Sequence, residues 1–397
     1  MTMTKRRIIL ITPENRDKFK VGGLGKVTKL LENGLKEAAV EVKVVAPDTN
    51  IYGQLFAPKT EKNNRDLGLA AVRLINSGFD PDWVWVHDWG GIWSADEVKK
   101  YLPNTKVVWT IHSPILLNGY GYGGYNGSDK PIDWGDSFFD FGGLIKQGVK
   151  VSNKISAVST TFAKNITRSQ LFEEAKEIEG INNGIDLDEW KISNKNSLSV
   201  FKAIYKRRLQ MKLGLAVTEV PVFVFISRLV GQKGLEILTR VLPKFLTNNP
   251  AQFLILGGGD KYWTNKVKRL ERKFGDKLKA ILTADFELPK ELLRGADYLV
   301  LPSVSEPFGL VVAEAKRMGA VPIVSLVDGL ADQVVDGKNG LGFGKYGANG
   351  LEEKLMEAVS RFKSEWQIKV AVKNILEVDS YQKMTQGYLS WLYEPRT

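Results

Sequence analysis

The stretch Ser305-Glu306-Pro307-Phe308-Gly309-Leu310-Val311-Val312-Ala313-Glu314 decides the fold. Just before it, Asp297-Tyr298-Leu299-Val300-Leu301-Pro302 is a near-continuous apolar run, the pattern of a strand buried on both faces of a parallel sheet. Just after it, Leu310 to Met318 reads as a helix, so the stretch is a strand-to-helix junction. Its two glutamates stand eight positions apart, just over two helical turns, which puts Glu306 at the helix mouth and Glu314 on a similar face further along. Unpaired amides at that mouth, carrying the positive end of the helix dipole, suit a phosphate or a developing negative charge. A loop carboxylate and a solvated helix carboxylate would show the same spacing. The pair therefore gains meaning only from its surroundings.

Outward from this junction, apolar runs alternate with helical stretches along the whole chain, the pattern of doubly wound parallel sheets in an α/β protein. The first half predicts strands at Ile8 to Thr12, Val42 to Ala46, Trp83 to Val86, Val107 to Ile111 and Ile155 to Val158. The second half predicts them at Val222 to Ile226, Phe253 to Leu256, Ala280 to Leu282, Tyr298 to Leu301 and Pro322 to Val324. Ile185 to Leu198 is polar, Asn-rich and without period, and reads as the linker. The expected organisation is a first Rossmann-like domain over residues 1–187, a second over 188–380, and a closing helix in 381–397 that packs back on the first. Ligands of such sheets bind beyond the carboxyl ends of the strands, which predicts a crevice between the domains.

The 397 residues are too many for one ordinary core, in keeping with two domains. The basic start Met1-Thr2-Met3-Thr4-Lys5-Arg6-Arg7 runs straight into Ile8-Ile9-Leu10-Ile11, and no run of about 18 apolar residues exists, so the expectation is a cytoplasmic protein without membrane anchor. The chain has no cysteine, which excludes disulfides, thiolate metal sites and cysteine nucleophiles. Its absence, with abundant Lys and Glu, fits a thermophile. A net charge of +11 raises nucleic-acid binding, but the cations sit beside acidic neighbours, as in Lys266-Val267-Lys268-Arg269-Leu270-Glu271-Arg272-Lys273. A solvated helix face explains that better, and a basic cleft would favour anionic small ligands. Oligomeric state leaves no signal in the sequence.

Three further junctions carry chemistry. Lys20-Val21-Gly22-Gly23-Leu24-Gly25-Lys26-Val27 follows the first strand and opens a helix running to about Ala39. Its glycines let backbone approach a ligand, although a glycine-rich turn by itself is usually only a turn. Ser227-Arg228-Leu229-Val230-Gly231-Gln232-Lys233-Gly234 lies between a strand and a helix, and its two cations are what a leaving nucleoside diphosphate needs. Cations at a helix start oppose the dipole, so a functional reading outweighs a surface one. The only two histidines, His87 in Val86-His87-Asp88-Trp89 and His112 in Thr110-Ile111-His112-Ser113, both fall at predicted carboxyl ends of strands. Two histidines are too sparse for a metal site, although His87-Asp88 could lend a ligand pair. The loop Tyr120 to Tyr125, rich in glycine and tyrosine, suits either sugar stacking or a structural cap.

Lys20-Val21-Gly22-Gly23-Leu24-Gly25, His87-Asp88-Trp89, Thr110-Ile111-His112, Asn183-Gly184-Ile185-Asp186, Arg228-Leu229 with Gln232-Lys233-Gly234, Glu306-Pro307-Phe308-Gly309-Leu310 and Gly329-Leu330-Ala331-Asp332 occur in one order. In that order the chain resembles the glycogen and starch synthases, retaining glucosyltransferases of the two-domain GT-B fold, in their archaeal-type form, over about Lys20 to Asp332. The resemblance implies a donor, ADP-glucose or UDP-glucose, and an α-1,4-glucan acceptor extended at its non-reducing end. It implies that Lys20 and the Gly22-Gly23 turn lie at the donor diphosphate, that Arg228 and Lys233 neutralise the phosphates, and that His112 bonds the transferred glucose. Glu306 would orient that glucose and stabilise its anomeric carbon, Glu314 would bind the ribose, and Phe286 would stack on the base. The amides of Phe308, Gly309 and Leu310 would complete the phosphate pocket, with Asp88 and His87 near sugar or acceptor. Such transferases are expected to need no metal and no cofactor.

Three positions depart from the family pattern. Lys26 stands where an aspartate is usual, Asp328 where a glycine precedes Gly329, and Ser227 where a glycine precedes Arg228. The interval from Gly25 to His87 is also short for the family. These departures bear on the acceptor and keep two alternatives open: transfer to a small acceptor, as in trehalose- or sucrose-type synthases, and an inactive glycan-binding relative.

Overall fold

The computed structural model describes residues 5–14, 17, 22–48, 58–113, 141–192, 197–283, 288–344 and 347–393. The chain divides into two compact units, one gathering Met1–Leu117, Asp133–Gly184 and Asp379–Thr397, the other built on Ile185–Val378.

In the first unit, strands β1 (Arg7–Ile11), β2 (Glu41–Val45), β3 (Trp83–His87), β4 (Val107–Ile111), β5 (Lys154–Ala157) and β6 (Ile178–Gly180) form a sheet in the order β2-β1-β3-β4-β5-β6. Every pairing in it is parallel. The central strands read WVWVH and VVWTI and are buried at every position, as expected where helices cover both faces. The closing helix Tyr381–Tyr393 belongs to this unit and turns Tyr381, Met384, Tyr388, Leu389 and Leu392 inward. It crosses helix Gly23–Glu37 at Gly34, where an added Cβ would lie 2.1 Å from Thr385 Oγ1, so the two backbones approach only because that residue is glycine.

In the second unit, β7 (Val222–Ile226), β8 (Gln252–Leu256), β9 (Leu278–Ile281), β10 (Tyr298–Leu301), β11 (Val321–Ser325) and β12 (Leu341–Phe343) form a second parallel sheet, ordered β12-β11-β10-β7-β8-β9. Counted from its own start, this is the strand order of the Rossmann fold, and its direction reverses between β7 and β10. Phe223 stacks between Tyr298 at 5.1 Å and Phe253 at 6.0 Å, an aromatic row running across three adjacent strands.

The ten expected strands are all present within two residues of their predicted bounds. Two more, β6 and β12, escaped the sequence reading. Both are three-residue edge strands, Ile-Glu-Gly and Leu-Gly-Phe, too short and too polar or glycine-containing to show periodicity. Among the described residues, no helix is long and apolar enough to cross a membrane.

Candidate functional site

In the second unit the chemistry collects at the switch point. Because β7 and β10 are neighbours, the turn after β7 and the loop after β10 meet although 73 residues separate them. Lys233 Nζ lies 2.7 Å from Glu306 Oε2, with each side chain 11% exposed. Ser303 Oγ also donates to Glu306 Oε2, at 3.1 Å. The loops are zipped by Gln232, whose Nε2 donates to Ser305 O at 3.0 Å while its carbonyl accepts from Val304 N at 2.8 Å.

A third segment, after β11, holds the same loop from its other side. Asp328 Oδ2 accepts from Ser305 Oγ at 2.7 Å and from Glu306 N at 3.0 Å. Gly329 N donates to Glu306 O at 3.1 Å, and Gln333 Nε2 to Phe308 O at 2.5 Å. Asp328 holds this position with φ of 42°, in the left-handed region where glycine is more comfortable. Aspartate in place of the usual glycine thus adds a carboxylate anchor for Glu306 at some backbone strain.

With 303–309 fixed this way, Gly309 takes φ of 86° and starts helix Leu310–Arg317. The amides of Phe308, Gly309 and Leu310 find no acceptor among the described residues. Glu314 is buried in the second turn of that helix. Arg228 is exposed beyond β7 and acts electrostatically on Asp260, whose carboxyl is raised by burial against the opposing pull of the guanidinium. Asp260 follows Gly257-Gly258-Gly259 at the end of β8, a junction the sequence reading passed over although its three glycines were a signal.

In the first unit the sheet reverses between β1 and β3. Beyond β1, Glu14 Oε2 accepts from Gly25 N at 2.7 Å, so a carboxylate of this chain caps the start of helix Gly23–Glu37. At Gly22 an added Cβ would fall 3.6 Å from Glu14 Oε1, an ordinary contact, so this cap does not itself require glycine there. Glu14 was not foreseen, because no motif links it to the glycines eleven positions on.

Beyond β3 and β4, His87 Nδ1 and His112 Nε2 are 2.8 Å apart. Asp88, at φ of 58°, takes His112 N at 3.1 Å and Ser113 N at 3.0 Å on Oδ1, and Ser113 Oγ at 2.7 Å on Oδ2. His87 and Asp88, expected near sugar or acceptor, are 0% and 1% exposed, with His87 Nδ1 on His112 and the Asp88 carboxylate on the His112 and Ser113 amides and the Ser113 hydroxyl. Both stand behind His112, which is half-buried. Lys20, Phe286 and the loop Tyr120 to Tyr125 lie outside the described residues. Among the described residues no group of three or more acidic or histidine side chains is gathered as a metal site.

Burial holds both histidines neutral, His112 down to about 3 and His87 well below its ordinary 6.5, the latter with a further push from His112. Well above pH 6.5 neither the folded nor the unfolded chain protonates them appreciably. Below it the unfolded chain binds protons that the folded chain refuses, so stability falls with pH, for His112 until about pH 3. The expected slope is up to about 1.4 kcal/mol per pH unit for each histidine. Urea midpoints between about pH 7.5 and about pH 5.5 should show a decline beginning near the ordinary histidine value, and roughly half that decline in His87→Gln. A flat profile would contradict neutral burial.

Comparison with known proteins agrees with this geometry. Residues 207–372 match the family model "Glycosyl transferases group 1" and residues 21–189 match "Glycosyltransferase Family 4". The glycogen synthase of Thermosipho africanus is 32% identical over 73% of this chain, which spans 66% of that relative's length. The glycogen synthase of Finegoldia magna is 30% identical over 82% of this chain and 75% of its own. In fold, the chain is similar to the catalytic domain of starch synthase IV from Arabidopsis thaliana, solved with ADP and acarbose, with a TM-score of 0.82 at 21% identity over 98% of this chain and 99% of that one. The chain belongs to the glycogen and starch synthase family, hexosyltransferases of the GT-B fold.

Proposed function

We propose that the protein transfers glucose from ADP-glucose or UDP-glucose to the non-reducing end of an α-1,4-glucan, with retention of anomeric configuration. The observation that carries this reading is the Lys233–Glu306 pair, a cation and a carboxylate held together in the loop whose Phe308, Gly309 and Leu310 amides find no acceptor among the described residues. Departure of a nucleoside diphosphate builds negative charge on the phosphates and positive charge at the anomeric carbon. A site for that reaction needs fixed groups of both signs, already oriented before the bond breaks.

Lys233 and Arg228 serve the phosphates with those amides, joined by Lys20 and the Gly22-Gly23 turn. Glu306, fixed by Ser303 and by Asp328 through its amide, faces the developing positive charge at the sugar. Glu314 serves the ribose, Phe286 the base, and His112 the transferred glucose. Because side-chain cations and amides carry the leaving charge, the reading calls for no metal and no cofactor. The reaction belongs in the cytoplasm with its sugar-nucleotide substrate.

The test is to incubate the protein with each nucleotide sugar, with and without glycogen, following nucleotide release and label entering polymer. Glycogen-dependent release from at least one donor is expected. Release from neither donor under any acceptor would refute the transferase reading. Release stimulated by small sugars but not by glycogen would shift the acceptor to the trehalose or sucrose type, which Lys26 in place of an aspartate favours.

A further inference from the structure

We propose that His87 is a positioning residue that sets the tautomer of His112, so that His112 offers a protonated Nδ1 as hydrogen-bond donor to an oxygen of the transferred sugar. The inference rests on the sugar-side role given to His112 above. What it adds is the proton's location and the residue that decides it.

A neutral imidazole has one N–H and one bare nitrogen, so a bond between His87 Nδ1 and His112 Nε2 allows two arrangements. If His112 Nε2 donates, the proton of His87 must sit on its own Nε2. That atom is fully buried and has no partner among the described residues, so the arrangement strands an N–H in the core. If His87 Nδ1 donates instead, the buried Nε2 is only a bare lone pair, the lesser cost. His112 then accepts at Nε2 and carries its proton on Nδ1, for which no partner exists among the described residues.

The surroundings hold both rings in place. Trp85 stacks on His87 at 5.5 Å and 20°, and its own Nε1 donates to Thr110 Oγ1 at 2.7 Å. Asp88 fixes the backbone of His112 from the other side. Since burial keeps both rings neutral, the donor persists across the neutral range, and His112 acts as a fixed donor and not as a proton shuttle.

The chain has two histidines, so long-range proton–nitrogen NMR of histidine-labelled full-length protein yields two ring systems, each assigned by one substitution. In the unliganded protein both rings are expected as the Nδ1–H tautomer. An Nε2 proton on either ring, or a doubly protonated ring near neutral pH, overturns the proposal. Because this measurement needs neither donor nor acceptor, it stands apart from any failure of the transferase reading.

Kinetics supply the second arm. His87→Asn keeps an N–H near the place of Nδ1 and should retain most of the transfer rate. His87→Leu removes it and should cut kcat at least roughly tenfold with little change in donor KM, while His112 loses its single tautomer in the spectrum. Unchanged kcat and tautomer in a folded His87→Leu protein would overturn the proposal.

Discussion

Lys233→Met is expected to lower transfer by roughly 100-fold or more, the usual loss when a fixed charge stabiliser is removed from a reacting centre. It should also destabilise the fold by about 3–5 kcal/mol, because it strands the Glu306 carboxylate in a buried position. Glu306→Gln should lose activity to a similar degree. In the double variant Lys233→Met with Glu306→Gln, no buried charge is left unpaired, and the amide can still accept from Ser303. Stability should then return toward the starting value while turnover stays low. Denaturant midpoints and single-turnover rates on the four proteins separate the two effects. Near-normal turnover in either single variant would remove the pair from the reaction, and a double variant no more stable than Lys233→Met would show that the pair is not the source of the cost.

Gly234→Ala should be among the most damaging small substitutions in the chain. Gly234 sits at φ of 74°, and an added Cβ would fall 1.7 Å from Pro302 O. A backbone carbonyl cannot swing aside as a side chain can, so the turn after β7 would be driven from the loop after β10. The expected cost is about 3 kcal/mol or more, the left-handed backbone penalty adding to the forced shift. Activity should fall with it, because the displaced turn carries Lys233. Gly258→Ala is the control: no described residue lies within 4 Å of its added Cβ, and a change of about 0.5 kcal/mol or less is expected. Equal midpoints for the two variants would contradict the close approach of the two loops.

Much of this was readable from residue order. Strands buried on both faces, such as Val222–Ile226 and Tyr298–Leu301, appear as unbroken apolar runs because no position faces water. Glu306, Lys233, Arg228 and His112 stood out because each falls at a strand end beside a turn, where open sheets bind ligands. The edge strands β6 and β12 were not readable, since three residues carry no period. Glu14 was not readable either, because a carboxylate capping a helix from another segment leaves no local pattern. Asp328 was visible only as a missing glycine; that its carboxylate anchors the Glu306 amide needed the fold.

The residue pattern by itself determined the alternation of strand and helix, the two-sheet organisation, and the residue types of the donor chemistry, because burial and turn formation are written in local composition. Which of those residues touch was decided only by tertiary structure. Strand order sets β7 beside β10 and β3 beside β4, and that order depends on packing between segments far apart in the chain. Only then do Lys233 and Glu306 become one ion pair, and His87 and His112 one hydrogen bond with a single proton to place.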